Sequence, residues 1–104
     1  MPRTTTYQPK IANSICEQIA NGASLRSICD NPSMPNKSTI FRWLNKYPDF
    51  NAQYRQAMKW RLEYYLDRVL EIADSATEET LKASRLQIDS LKWYVGKLSA
   101  RVHR

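Results

Sequence analysis

The side chains best suited to a chemical task lie in the stretch NKSTIFRWLNKYP, residues 36–48. Lys37, Arg42 and Lys46 are cationic, Ser38 and Thr39 carry hydroxyls, and Asn45 carries a carboxamide. These groups do not make or break bonds; they donate hydrogen bonds to an anionic, edge-patterned surface. A guanidinium pairs with the O6 and N7 acceptors of guanine, a carboxamide pairs with adenine, hydroxyls reach phosphate or base, and ammonium groups neutralise backbone charge. On a helix turning about 100° per residue, Ser38, Arg42, Asn45 and Lys46 share one side, with Thr39 at its margin and Phe41 at the boundary. Ile40, Trp43, Leu44 and Tyr47 share the other side. The competing reading of Arg42 and Lys46 is an ordinary solvated helix face.

Constellations for catalysis are missing. A phosphate-gripping loop needs clustered glycines followed by Lys-Ser/Thr, and NGAS has one glycine and no lysine. The one histidine, His103, stands next to last and is expected at the surface. Asp67, Glu71, Asp74, Glu78 and Glu79 form an acidic run, expected as a solvated face rather than a metal site. Cys16 and Cys29 sit beside Ile15 and Ile28 in apolar stripes and are expected as buried, reduced thiols. The reading is therefore not an enzyme: no catalytic residue, no cofactor and no metal.

The elements that must position the donor set follow from length, charge and periodicity. The chain has 104 residues and a formal net charge of +6, so an anionic partner is favoured. Residues 1–60 hold eight Lys/Arg against three Asp/Glu, whereas residues 61–104 hold eight against seven, so the excess belongs to the N-terminal half. No run of about 18 apolar residues exists, and MPRTTTYQPK lacks an apolar signal region. A cytosolic protein without a membrane span is expected.

Two glycines and no alternating Val/Ile/Thr-rich segment argue for an all-α fold. Ile11, Ile15 and Ile19 mark a helix from Lys10 to Ala20 that Asn21 and Gly22 end. Ser24 is expected to cap a short helix carrying Leu25, Ile28 and Cys29, which the prolines of DNPSMPN stop. Asn36 is expected to cap a third helix ending near Lys46, before Pro48. A short helix, a tight turn and a helix with a polar outer face make the pattern of a helix-turn-helix, whose second helix enters the major groove. Trihelical protein-binding modules share the pattern.

After Pro48 the character changes, which sets expected domains at residues 1–48, a helix-turn-helix DNA-binding domain, and 49–104, a helical hairpin oligomerisation domain. Asp49 is read as the cap of a helix carrying Phe50, Tyr54, Met58, Leu62, Tyr65, Leu66, Val69 and Ala73. DSATEET supplies a turn in which Ser75 and Glu78 have capping-box spacing. A second long helix places Leu81, Ser84, Ile88, Leu91, Val95 and Leu98 at alternating three and four, a heptad seam. Leu86 and Trp93 on that helix, and Trp60 and Tyr64 on the one before, lie off the seam. They pack either on the N-terminal helices of the same chain or on neighbouring subunits.

The stretches GASLRSICDNPSMPNKSTIFRWLNKYPDFNAQYRQA, LEIAD and ASRLQIDSLKW together resemble the small terminase subunits of tailed bacteriophages, in the subgroup with an N-terminal helix-turn-helix and a helical-hairpin core. The resemblance runs from about Ile11 to Leu98, with MPNKSTIFRWL and RLQIDSLKW its most specific parts. It implies a ring-shaped homo-oligomer in the host cytoplasm that recognises double-stranded viral DNA at the packaging start site and hands it to the large terminase subunit, an ATPase and nuclease. It places DNA recognition on Lys37, Ser38, Thr39, Arg42 and Lys46, to which the helix face adds Asn45. It places assembly around Leu66, Val69, Ile88, Leu91 and Val95, to which the off-seam side adds Trp93. Arg85 and Asp89 have the spacing of an i,i+4 pair. Relatives usually run on past the point where this sequence stops, SARVHR, into a segment that helps contact the large subunit. The alternative is a dimeric helix-turn-helix transcription regulator, with two half-sites about one DNA turn apart.

Overall fold

A computed structural model of the chain describes residues 6–103. Five helices follow in order: α1 (Pro9–Ala20), α2 (Leu25–Cys29), α3 (Lys37–Lys46), α4 (Pro48–Ser75) and α5 (Leu81–Val102), with no strand among the described residues. The fold is all-α, as the periodicity requires. No helix among the described residues is long and apolar enough to cross a membrane.

The N-terminal helices are delimited by local chemistry. Pro9 opens α1, where its missing N–H is harmless. At the other end Gly22, at φ 94°, takes the left-handed conformation that a side chain would resist. That turn lets Gly22 N donate to Ile19 O at 3.1 Å and Ala23 N donate to Gln18 O at 2.9 Å, closing the last carbonyls of α1 in a Schellman arrangement. Ser24 Oγ accepts from Ser27 N at 3.1 Å and starts α2. Asn36 Oδ1 accepts from Thr39 N at 2.9 Å and starts α3. Both caps stand where the sequence places them.

The chain divides into two compact units, the first ending at Arg61 and the second starting at Leu62. The division falls inside α4 rather than at Pro48, and packing explains it. Phe50 and Ala57 of α4 join Ala12, Ile15, Cys16, Ile19, Ile28, Ile40 and Trp43 in one buried cluster. Arg61, itself buried, donates from Nη1 to Ile19 O at 3.3 Å and Ala23 O at 2.6 Å. A cation at the carbonyl end of α1 also meets the negative end of its dipole. The first turns of α4 thus complete the first unit's core. Asp49 lies in the first turn of α4 instead of capping it, because Pro48 already occupies the opening position and Tyr47 O accepts from Asn51 N at 3.0 Å.

In the second unit the end of α4 and all of α5 form a helical hairpin. Leu62, Ile72, Ser84 and Leu98 are buried, and Tyr65 meets Tyr94 edge-on at 5.3 Å. The turn is closed by Thr77 and Thr80 rather than by Ser75 and Glu78: Thr77 N donates to Thr80 Oγ1 at 2.8 Å and Thr80 N to Thr77 Oγ1 at 3.3 Å. Ser75 is still inside α4, and its hydroxyl donates to Ile72 O. Among the described residues the ion pair that forms is Arg68–Glu71, at 3.4 Å, not Arg85–Asp89. Both are exposed, where an ion pair contributes little.

Candidate nucleic-acid interface

The site is built from α2, the turn after it and α3, with α2 packed on α3. In the turn, Asn31 Oδ1 accepts from Ser33 N at 3.0 Å and Ser33 Oγ at 2.8 Å, and Met34 N donates to Asn31 O at 3.0 Å. Pro35 is fully buried and leads directly into the Asn36 cap. The start of α3 is therefore held from both sides. Ile40 and Trp43 are sunk in the core, which fixes the rotation of α3 about its axis and turns the opposite side outward.

That outward side carries Lys37, Ser38, Arg42, Asn45 and Lys46, all exposed. No Asp or Glu lies on α3 to neutralise them. Lys37 Nζ lies over the Phe41 ring, 5.8 Å from its centroid, and Lys46 Nζ over the Tyr47 ring at 5.5 Å, so each ammonium group sits beside an aromatic face on an exposed residue. Ser38 Oγ donates to Asn36 Oδ1 at 2.9 Å, tying that hydroxyl to the cap.

Thr39 departs from the expectation. It is only 7% exposed and lies one turn before Trp43 on the core-facing row, so its side chain does not join the outward face. The four-residue step to Trp43 is the signal that would have placed it.

Two supports of this site escaped the sequence reading. Tyr7 stacks on Tyr47 at 3.7 Å, nearly parallel, and meets Trp43 edge-on at 5.1 Å. It clasps the C-terminal end of α3 from the segment before α1. Burial raises its phenol pKa, with smaller contributions from Asp49, Tyr47 and Cys16. Arg61 is the other support, through the end of α1. Neither obeys a local period, since each acts on residues distant in sequence.

The residues expected to drive assembly divide into two sets. Val69, Ile88, Leu91 and Val95 are half-buried, on the side of the hairpin that also buries Ser84 and Leu98. Leu66 and Trp93 are exposed, at 42% and 66%, in company with Leu70, Leu86 and Leu81. Leu81, read as part of the seam, is thus outside it, and Leu70 is an exposed apolar residue that the sequence reading had not singled out. Beside them an open groove of about 440 Å³ is lined by Tyr65, Arg68 and Ile72 of α4 and Leu86, Ser90 and Leu91 of α5.

The family model for Bacteriophage Sf6, terminase small subunit-like proteins, matches residues 7–104. The chain belongs to that family. Three solved structures of the terminase small subunit gp1 of the bacterial virus Sf6 resemble this terminase small subunit over 94% of its length. An arginine-to-alanine variant of gp1 is 35% identical, with a TM-score of 0.74 and 77% of its own chain covered. Aspartate-to-arginine and lysine-to-glutamate variants are each 36% identical, with TM-scores of 0.72 and 0.73 and 81% of their chains covered. No curated protein matches the chain. At this identity and coverage both units share the gp1 fold, and the protein is a packaging-related small subunit.

Proposed function

We propose that this terminase small subunit is the DNA-recognition component of a viral genome-packaging motor acting in the host cytoplasm. In this reading α3 enters the major groove at the packaging start site, Arg42 and Asn45 meet base edges, and Lys37, Ser38 and Lys46 meet phosphates. The observation that carries it is the exposed, carboxylate-free cationic face of α3, held rigid by the first unit's core, in a chain of this family. One copy offers three cations on that face, too few for firm binding. Several copies in a ring raise the effective concentration and supply avidity without new contacts.

The ring is assigned to the hairpin. Leu86 and Trp93 lie two turns apart on one side of α5 and are the two most exposed large apolar side chains among the described residues. Subunit contact on that side favours the ring over a dimeric regulator, which needs only a single two-fold patch. The chain itself performs no chemistry in this reading; ATP hydrolysis and DNA cutting belong to the large terminase subunit, whose rates the small subunit regulates.

Binding to duplex DNA should fall steeply with salt, and Arg42→Ala with Lys46→Ala should weaken it, with loss of a base contact at Arg42 costing roughly 1–3 kcal/mol. Unchanged binding by the double variant across a gel-shift salt series would remove α3 from the groove. Native mass of the wild-type chain tests the ring independently: a monomer or plain dimer at micromolar concentration rules it out.

A further inference from the structure

The outward face of α3 is not wholly polar. Lys37, Phe41 and Asn45 follow one another at four-residue steps, and Ser38, Arg42 and Lys46 form the adjoining row. Phe41 is thus an apolar ring in the middle of a patch of donors, 45% exposed, while Ile40 and Trp43 on the opposite side are buried. Single apolar side chains are common on protein surfaces, so exposure by itself points nowhere. The surroundings do point somewhere. Lysine, arginine and carboxamide groups with no carboxylate among them complement an anionic surface, not the apolar face of another protein. Lys37 Nζ, 5.8 Å from the ring centroid, places a phosphate-seeking ammonium and the ring within one turn of each other. The apolar feature that a major groove offers to such a ring is the C5-methyl group of thymine.

We propose that Phe41 is a specificity-determining residue that selects thymine at one position of the bound duplex through its C5-methyl, with Lys37 holding an adjacent phosphate. The inference rests on the reading of α3 as the DNA face. The contact buries a methyl against the ring and excludes water from both, a gain that cytosine, which lacks the methyl, cannot supply.

The test uses the full chain, wild-type and Phe41→Ala, each allowed to select from a random-sequence duplex library. In the wild-type-selected duplex each thymine is then replaced by uracil, which removes the methyl and nothing else. One position should weaken wild-type binding about fourfold, the equivalent of ~0.8 kcal/mol for one buried methyl group. Phe41→Ala should bind the thymine and uracil duplexes equally. Its thermal unfolding should match the wild type, because the ring is exposed.

The proposal is overturned if no thymine-to-uracil change affects the wild type, if Phe41→Ala keeps the discrimination, or if it melts early and so marks the ring as a core support. A fall in native mass with methyl discrimination intact would also overturn it, assigning the ring to subunit contact. Absence of salt-sensitive binding to any duplex is a different result: it removes the α3 reading itself.

Discussion

The two units solve the problem of apolar surface in opposite ways. In the first, Ile15, Ile28, Ile40 and Phe50 are completely buried, and the donor face of α3 lies outside a finished core. In the second, Leu62, Ile72 and Leu98 are buried, but Leu66, Leu70, Leu81, Leu86 and Trp93 stand in solvent. A three-helix arrangement closed by the start of α4 can surround a core; a two-helix hairpin has an inside and too much outside. The first unit encloses its apolar side chains and presents polar groups, whereas the second leaves large apolar side chains exposed.

The sharpest way to break this comparison is to empty the first core. Phe50 is fully buried and meets Trp43, Tyr7 and Tyr54 through edge-on ring contacts. Phe50→Ala should destabilise the first unit by about 3–5 kcal/mol, from lost burial and the cavity left behind. Urea unfolding followed by tryptophan fluorescence checks it; a loss below about 1 kcal/mol would mean that this core is looser than its burial implies.

Next in size is the Arg61 anchor. Arg61→Met keeps much of the stem but leaves Ala23 O and the end of α1 without the guanidinium, at a cost of about 2 kcal/mol. If Arg61→Met were neutral while Arg61→Ala destabilised, packing of the stem would be the contribution that counts.

How much of this was legible in the sequence depends on the range of each interaction. The Ser24 and Asn36 caps and the Gly22 turn follow from residues within a few positions, and all three are where local rules put them. Thr77 and Thr80 were hidden because Ser75 and Glu78 have the same spacing, and only the extension of α4 through Ser75 decides between the pairs. Arg61 and Tyr7 were not legible at all: one reaches back to α1, the other across to Tyr47, and periodicity contains neither distance. The division between the two units carries no mark in the sequence, because α4 runs without a break through Arg61 and Leu62 and no proline or glycine announces it. On the outward face of α3, the exposure of Ser38, Arg42, Asn45 and Lys46 was legible from helical angle, Lys37 was added by its charge, and Thr39 was misplaced by a fraction of a turn.

If the proposed subunit contact lies on the hairpin, the second unit should answer to concentration more than to denaturant. Leu86→Ser with Trp93→Ser removes exposed apolar area, so in a dissociated subunit it should alter stability by less than about 0.5 kcal/mol, as surface changes usually do. Native mass should nevertheless fall, and the melting temperature should lose its dependence on protein concentration. An oligomeric parent with a variant of equal native mass would place the subunit contact elsewhere on the chain.

A further test separates the units by pH. Cys16 is buried in the first core, and burial pushes its thiol up from 9.0 to about 11. No cysteine lies beyond Cys29, so the second unit has no counterpart. A folded-state pKa above the unfolded one means that the folded state favours the neutral thiol, and the unfolded chain releases its proton first as pH rises. The thiol's contribution is therefore fully present below about pH 9 and is lost progressively between about 9 and 11. The raised Tyr7 phenol acts in the same direction, again in the first unit. Replacing Cys16 by Ala removes the titration at the expense of a small cavity, so the variant should be less stable at neutral pH yet lose less stability on passing from pH 8.5 to pH 10.5, a window set by the two pKa values. Unfolding free energies of both proteins at those two pH values decide it. Equal losses in the two proteins would show that the Cys16 thiol opens to solvent before the unit unfolds, and that the first core is less closed than its contrast with the hairpin requires.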